Sequence, residues 1–254
     1  MRAPPLVFTH VHKCAGSSLR RMLYEKFEPL FGRHRMHVPE ITCGAFDNLP
    51  MLGERGEPFP SNLMLLADHS PYGLYDERVL AGGRPFRITL LRDPVDRLES
   101  YFHFCARESF IPEDWASFVS HLPDMPEPQF IEVCKFFESD SGLAYWFDPL
   151  RRDRERALSN LLEFDVIARF DDLAGFCSRF NRGNPYGLAF RFDEIVHLNH
   201  TPRRSQLTPR QRAIAREVLE HDYWIWSSPK LERILTTNEG AIGRLWSLFL
   251  RPFP

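Results

Sequence analysis

Three short stretches of the 254-residue chain carry residue types able to do chemistry on an anionic substrate. In "THVHKCAGSSLRR", Lys13, Gly16, Ser17 and Ser18 lie between an apolar run and a stretch of helical period. A glycine-bearing turn that runs into a helix start presents unpaired backbone N–H groups and the positive end of the helix dipole, and Lys13 adds a full charge. That combination suits a phosphate or sulfate; the same serines could also simply cap the helix. In "FRITLLRDPVDRLES", Arg92 follows an apolar run, where a guanidinium fork can hold a phosphate bidentately. Ser100 falls two turns into the next helix, on the side of Asp93, Asp96 and Arg97, so one phosphate could touch Arg92 and Ser100 together. An Arg92–Asp96 pair is the structural alternative. In "NLMLLADHSPYG", His69 has the right chemistry for a general base, with Asp68 in reserve; a turn histidine bonded to backbone is the plainer reading.

The first stretch is not a Walker A loop, because there the lysine follows the glycines, whereas Lys13 precedes Gly16. It does meet a second pattern. Cys14 and Arg20 stand at the Cys-x5-Arg spacing of low-molecular-weight phosphatases, and Asp93-Pro94 mimics their general acid, although Arg21 occupies the place of their Ser or Thr. A metal is not signalled. His10 and His12 share one strand face, but the five cysteines are scattered with no CxxC spacing.

The elements that must position these residues are read from periodicity. Short apolar runs at 5–11, 62–68, 86–91 and 164–169 alternate with helical patterns, which predicts an α/β fold with a mostly parallel open sheet flanked by helices. In such sheets ligands bind beyond the carboxyl ends of the strands, where all three stretches fall. Asp93 as N-cap with Pro94 at the first helical position predicts a helix from 94 to 107. Thr208 with Gln211 forms a capping-box pattern ahead of "RQRAIAREVLEHD", where Ile214, Val218 and Leu219 share a face. Residues 17–27, 151–163 and 171–181 also read as helices, with "RRDRER" (151–156) as a solvated face. Between 108 and 150 runs a proline-punctuated, aromatic-rich segment containing Trp115, Phe118, Phe130, Phe136, Phe137, Tyr145 and Trp146. Such a stripe is more often core than an acceptor cleft.

Bulk properties narrow the function classes. The length and a hydrophobic content of 43% fit one domain, residues 1–254, with a sizeable core. A formal charge of −2 disfavours a nucleic-acid partner, so any anion site is local. No run approaches the roughly 20 apolar residues of a membrane span. The odd, scattered cysteines fit a reducing compartment, and a cytoplasmic location is expected.

Set together, the stretches resemble a known family. "FTHVHKCAGSSL" is similar to the 5′-phosphosulfate loop of sulfotransferases that use 3′-phosphoadenosine 5′-phosphosulfate (PAPS), and "ITLLRDPVDRLESYFHF" to their 3′-phosphate strand-turn-helix. "LLADHSPYGLYD", "VIARFDDL" and "HLNHTPRRSQLTP" resemble the catalytic-histidine segment, a later strand and the nucleotide-covering loop of the carbohydrate type, which includes heparan sulfate 2-O-sulfotransferases and bacterial relatives. The matches span residues 6 to 222; 108–160 matches nothing nameable and is a possible acceptor-side insertion. Departures are Cys14-Ala15-Gly16 where many members have Thr-Gly-Gly, and Ala168 where an acidic residue is common. The resemblance implies a P-loop-like nucleotide-binding core, PAPS as donor with PAP as product, and transfer to a hydroxyl of a carbohydrate or glycosylated acceptor. It also implies roles. Lys13 would contact the leaving oxygen, and Cys14, Ala15, Gly16, Ser17 and Ser18 would form the 5′-phosphate cradle. Arg92 and Ser100 would hold the 3′-phosphate, Arg203 and Arg204 would close over the nucleotide, and His69 would act as general base. A Cys14-dependent phosphatase and an inactive nucleotide-binding module remain the alternatives, and the oligomeric state is open.

Overall fold

The computed structural model describes residues 3–14, 16–38, 62–73, 84–118, 121–195 and 207–236. Five strands form one sheet in which every pairing is parallel: β1 (Leu6–Thr9), β2 (Met36–His37), β3 (Leu65–Asp68), β4 (Phe86–Leu91) and β5 (Val166–Arg169). Their spatial order is β2-β3-β1-β4-β5. The β1, β3 and β4 residues are buried throughout, the pattern of a parallel sheet covered on both faces. The expected α/β class with a parallel sheet and flanking helices is therefore what the chain adopts. The two-residue β2 carries too little periodicity to be read in advance.

Among the described residues the α-helices are α1 (Gly16–Phe31), α2 (Pro94–Arg107), α3 (Glu113–Ala116), α4 (Glu127–Ser141), α5 (Leu143–Phe147), α6 (Arg154–Leu161), α7 (Leu173–Gly183), α8 (Pro209–Val218), α9 (Glu220–Trp226) and α10 (Pro229–Thr236). Helix α1 buries Leu19, Met22, Leu23 and Phe27 against the sheet, a stripe at helical spacing. Helix α2 starts where its cap dictates, with an Asp93 carboxylate oxygen accepting from the Val95 and Asp96 N–H groups. The Thr208–Gln211 capping box is present at the head of α8. That helix is shorter than its sequence pattern, because the chain leaves helical geometry at Leu219 and restarts as α9.

Two cores hold these elements. One packs α1, the sheet, α5, α6 and α7 around Phe8, Leu65, Ile88, Trp146 and Phe176. The other lies between α2, α4 and α8, built on Leu98, Phe102, Phe130, Phe137 and Leu219. The aromatic stretch feeds both. Phe130, Phe137 and Trp146 are fully buried, while Trp115, Phe118, Phe136 and Tyr145 pack at the edges. Much of that stretch is helical, since Pro128 stands in the first turn of α4, where a missing N–H costs nothing. Among the described residues no helix is long and apolar enough to cross a membrane, and the four described cysteines are free and buried.

Candidate functional site

Sheet register brings the three stretches to one edge. Thr9 pairs with Asp68 on one side and with Thr89 on the other, so β1 and β3 end level and β4 runs two residues further. His10 and His69 therefore leave the sheet side by side, and the His10 N–H donates to the Asp68 carbonyl at 3.0 Å. Arg92 emerges beside the β1 loop. The chain turns one way from β1, over β3 to β2, and the other way from β4 to β5. The crevice beyond the carboxyl ends of β1 and β4 is thus the topological switch point, the place where open α/β sheets bind ligands.

Two hydrogen bonds tie the neighbouring strand ends to the β1 loop. Arg92 Nη1 donates to the Lys13 carbonyl at 3.2 Å, and the guanidinium stacks on Phe170 with its carbon 4.9 Å from the ring centre. On the other side, His69 Nδ1 lies 3.0 Å from the His10 carbonyl oxygen. A carbonyl only accepts, so Nδ1 carries the proton and Nε2 is the basic atom of the His69 ring.

Lys13 sits in the left-handed region with φ +65°, a strained backbone for a residue with a β-carbon. Its ammonium nitrogen lies 4.6 Å from the centre of the Phe104 ring on α2. Burial, then repulsion from Arg107 and Arg92, holds its pKa below the ordinary 10.5. Ser100 is one turn before Phe104 on the same helix, half-buried. Asp96, the alternative partner for Arg92, engages Arg212 at 3.1 Å.

Gly16 starts α1 and has a specific reason to lack a side chain. A β-carbon there would fall 1.7 Å from the buried His10 ring, well inside contact distance. Ser17 is half-buried and Ser18 buried in the first turn of α1. Cys14 is buried beneath the turn, its thiol directed at the His12 carbonyl, 3.7 Å away. Burial pushes that thiol up to about 11 against the pull of Arg97 and Arg92. A nucleophilic cysteine needs the opposite shift, so Cys14 fits as a small side chain filling the turn. Arg20 is buried in α1. Asp68 accepts from the backbone and hydroxyl of Ser70 at 3.0 and 2.7 Å, which makes it a turn-forming residue. Ala15, Arg203 and Arg204 lie outside the described residues.

What surrounds His69 comes from distant parts of the chain. Its ring centre lies 4.0 Å from that of His10 and 4.4 Å from that of His12. His12 in turn stacks on Tyr101 at 5.8 Å and meets the edge of Trp146 at 4.9 Å. Tyr101 donates its hydroxyl to Asp140. Burial, then His69, drives His10 well below the usual histidine range and His12 down to about 3, so both rings are neutral near neutral pH. Among the described residues no three His, Cys, Asp or Glu side chains are disposed to hold a metal ion. The HxH pattern at 10 and 12 is the signal in the sequence for this cluster, since it puts two rings on one strand face.

Fold and site together define an open, all-parallel α/β protein with cationic and imidazole groups gathered at the switch point of its sheet. No model of a known protein family matches the chain, and no curated protein matches it either.

Proposed function

We propose that the protein is a PAPS-dependent sulfotransferase that moves a sulfuryl group to a hydroxyl of a carbohydrate or glycosylated acceptor. One observation carries this reading. The β1 loop is bonded on one side to Arg92 and on the other to His69, so a candidate anion cradle, a phosphate-binding guanidinium and a candidate base occupy three adjacent strand ends. The β2-β3-β1-β4-β5 order, with the glycine turn after the central strand, supports a P-loop-like core.

In-line displacement at sulfur needs alignment, charge neutralisation on the leaving phosphate and removal of the acceptor proton. The N–H groups and hydroxyls of Gly16, Ser17 and Ser18, at the positive end of α1, suit the 5′-phosphate. Arg92 with Ser100 suits a 3′-phosphate and would separate PAPS from donors that lack one. Lys13 starts on Phe104, a contact worth about 0.5–2 kcal/mol. A charge-assisted hydrogen bond contributes about 1.5–3 kcal/mol and relieves the repulsion from Arg92 and Arg107, so an anion in the loop draws the ammonium off the ring. His69, with Nε2 basic, takes the acceptor proton. The aromatic stretch from 108 to 160, much of which packs into the two cores, is proposed as the acceptor side.

The test is thermal denaturation with PAP. Saturation at about a hundred times Kd stabilises by about 2.7 kcal/mol. Arg92→Ala is expected to abolish the shift. Absence of any shift in the wild-type protein at millimolar PAP overturns the reading. If PAP binds but no glycan acceptor is sulfated, and His69→Ala changes nothing, the chain is an inactive nucleotide-binding module.

A further inference from the structure

We infer that Arg107 is a positioning residue for Lys13: it competes with the lysine for the ring of Phe104 and so keeps the ammonium ready to leave for an anion in the β1 loop. That last step rests on the proposed role of Lys13 at the 5′-phosphate; the competition for the ring does not. The two cations reach Phe104 from different parts of the chain. Lys13 comes from the loop after β1, with its nitrogen 4.6 Å from the ring centre. Arg107 comes from the last turn of α2, with its guanidinium carbon 5.5 Å from the same point. Ser100, Phe104 and Arg107 recur at spacings of four and three, so they share one face of that helix.

The ring is a set platform. Phe104 is half-buried and packs on Tyr101, with 6.4 Å between ring centres, and on the exposed Phe110, at 6.2 Å and 66° between the planes. An aromatic ring attracts a cation through its quadrupole, but a second cation at the same ring gains less, because the first repels it. That repulsion is built into the fold. Of the charges around Lys13, Arg107 opposes its ammonium most, ahead of Arg92, while Cys105 and Glu108 favour it.

Neither cation is tied down elsewhere by a strong pair. Arg107 donates from Nε to Glu108 at 2.8 Å, but the two side chains are 57% and 41% exposed, and a pair of that kind holds its partners weakly. Among the described residues no carboxylate makes an ion pair with Lys13, whose place is set by its loop and by the ring. Removal of the Arg107 charge therefore leaves Phe104 to Lys13 alone, and the lysine settles there. Lysine at 107 keeps the competing charge and glutamine does not, which makes the role separable from simple packing.

The experiment reads the ε-methylene signals of isotope-labelled lysine by NMR in the full-length protein, whose four lysines are few enough to assign by substitution. Protons over an aromatic face move upfield, so this shift in Lys13 reports its time on Phe104 with no ligand and no turnover. Arg107→Gln is expected to enlarge the upfield shift and to weaken PAP binding about two- to fivefold by titration calorimetry, the scale of one exposed cation–ring contact. Arg107→Lys should keep the wild-type shift and affinity. In Phe104→Leu the Lys13 signal should return to the ordinary lysine position, and adding Arg107→Gln should then cost no further affinity. The inference is overturned if Arg107→Gln leaves the Lys13 shift unchanged. It is also overturned if Arg107→Gln weakens PAP equally with and without the Phe104 ring, because Arg107 would then act on the nucleotide directly. Failure of the proposed function is told apart: a wild-type protein that does not bind PAP removes the anion step, while the unliganded lysine signal still decides the competition for the ring.

Discussion

Two cations set against helix α2 are treated in opposite ways, and the contrast separates a buried, paired charge from one left beside like charges. Arg97 on α2 is fully buried and paired with Asp222, whose other oxygen accepts from the Leu143 N–H at 2.6 Å. Its guanidinium also stacks on Phe137. Burial pushes the Asp222 carboxyl up and Arg97 pulls it back, as expected of a desolvated pair that holds α2, α5 and α9 together. Lys13, by contrast, rests on an aromatic face beside two guanidinium groups, on a backbone that favours glycine. A cation whose nearest charges are mostly like-signed is poorly placed for stability and well placed for an incoming anion.

The largest effect should come from breaking the structural cation. Asp222→Ala strands a buried guanidinium and is expected to cost about 3–5 kcal/mol, read as a lower urea midpoint. A near-neutral result would dissolve the contrast. Lys13→Ala should do the reverse, lowering kcat/KM for sulfuryl transfer by about 10²–10³ with little loss of stability. Lys13→Gly should lose the same activity while changing stability by less than about 1 kcal/mol, since relief of the left-handed strain offsets the freer unfolded chain.

Alkaline titration sharpens the same point. The lysine pKa is lowered in the folded chain, so between that value and 10.5 the unfolded chain binds more protons and folding stability gains as pH rises. PAP affinity should move oppositely, falling as Lys13 loses its charge, at a lower pH than an ordinary lysine would. Isothermal titration across the alkaline range checks this, and an affinity flat up to 10.5 would remove Lys13 from the anion site. The smallest effect belongs to Cys14. With its thiol near 11, native protein should resist alkylation at mildly alkaline pH, and Cys14→Ala should retain transfer. Rapid labelling, or loss of phosphate-ester hydrolysis in that variant, would restore the phosphatase reading.

What could be read in advance had local causes. Helix α2 begins at Pro94 because Asp93 caps it through bonds two and three residues away, and α8 begins at Pro209 for the same kind of reason. The run 86–91 is a strand over its whole length because buried parallel strands are apolar on both faces. Helix α4 is hidden by the prolines that punctuate the stretch in sequence, although Pro126 and Pro128 lie at the cap and in the first turn. At the site, Lys13, Gly16, Arg92 and His69 were legible from their places just after apolar runs. The packing of His10, His12, Tyr101 and Trp146 around His69 was not, because those residues are brought together from four separate elements.

The sequence by itself determined the α/β class, the capped helices and the three strand-end stretches, since each depends on neighbours a few residues apart. Tertiary structure alone decided which way the residues face. Pairing Thr9 with both Asp68 and Thr89 set His69 and Arg92 on opposite flanks of one loop, and it packed the rings of His10 and His12 against His69. The physical reason is that register and burial are long-range quantities. A histidine becomes a packing ring or a base according to how much water and charge the rest of the chain leaves around it.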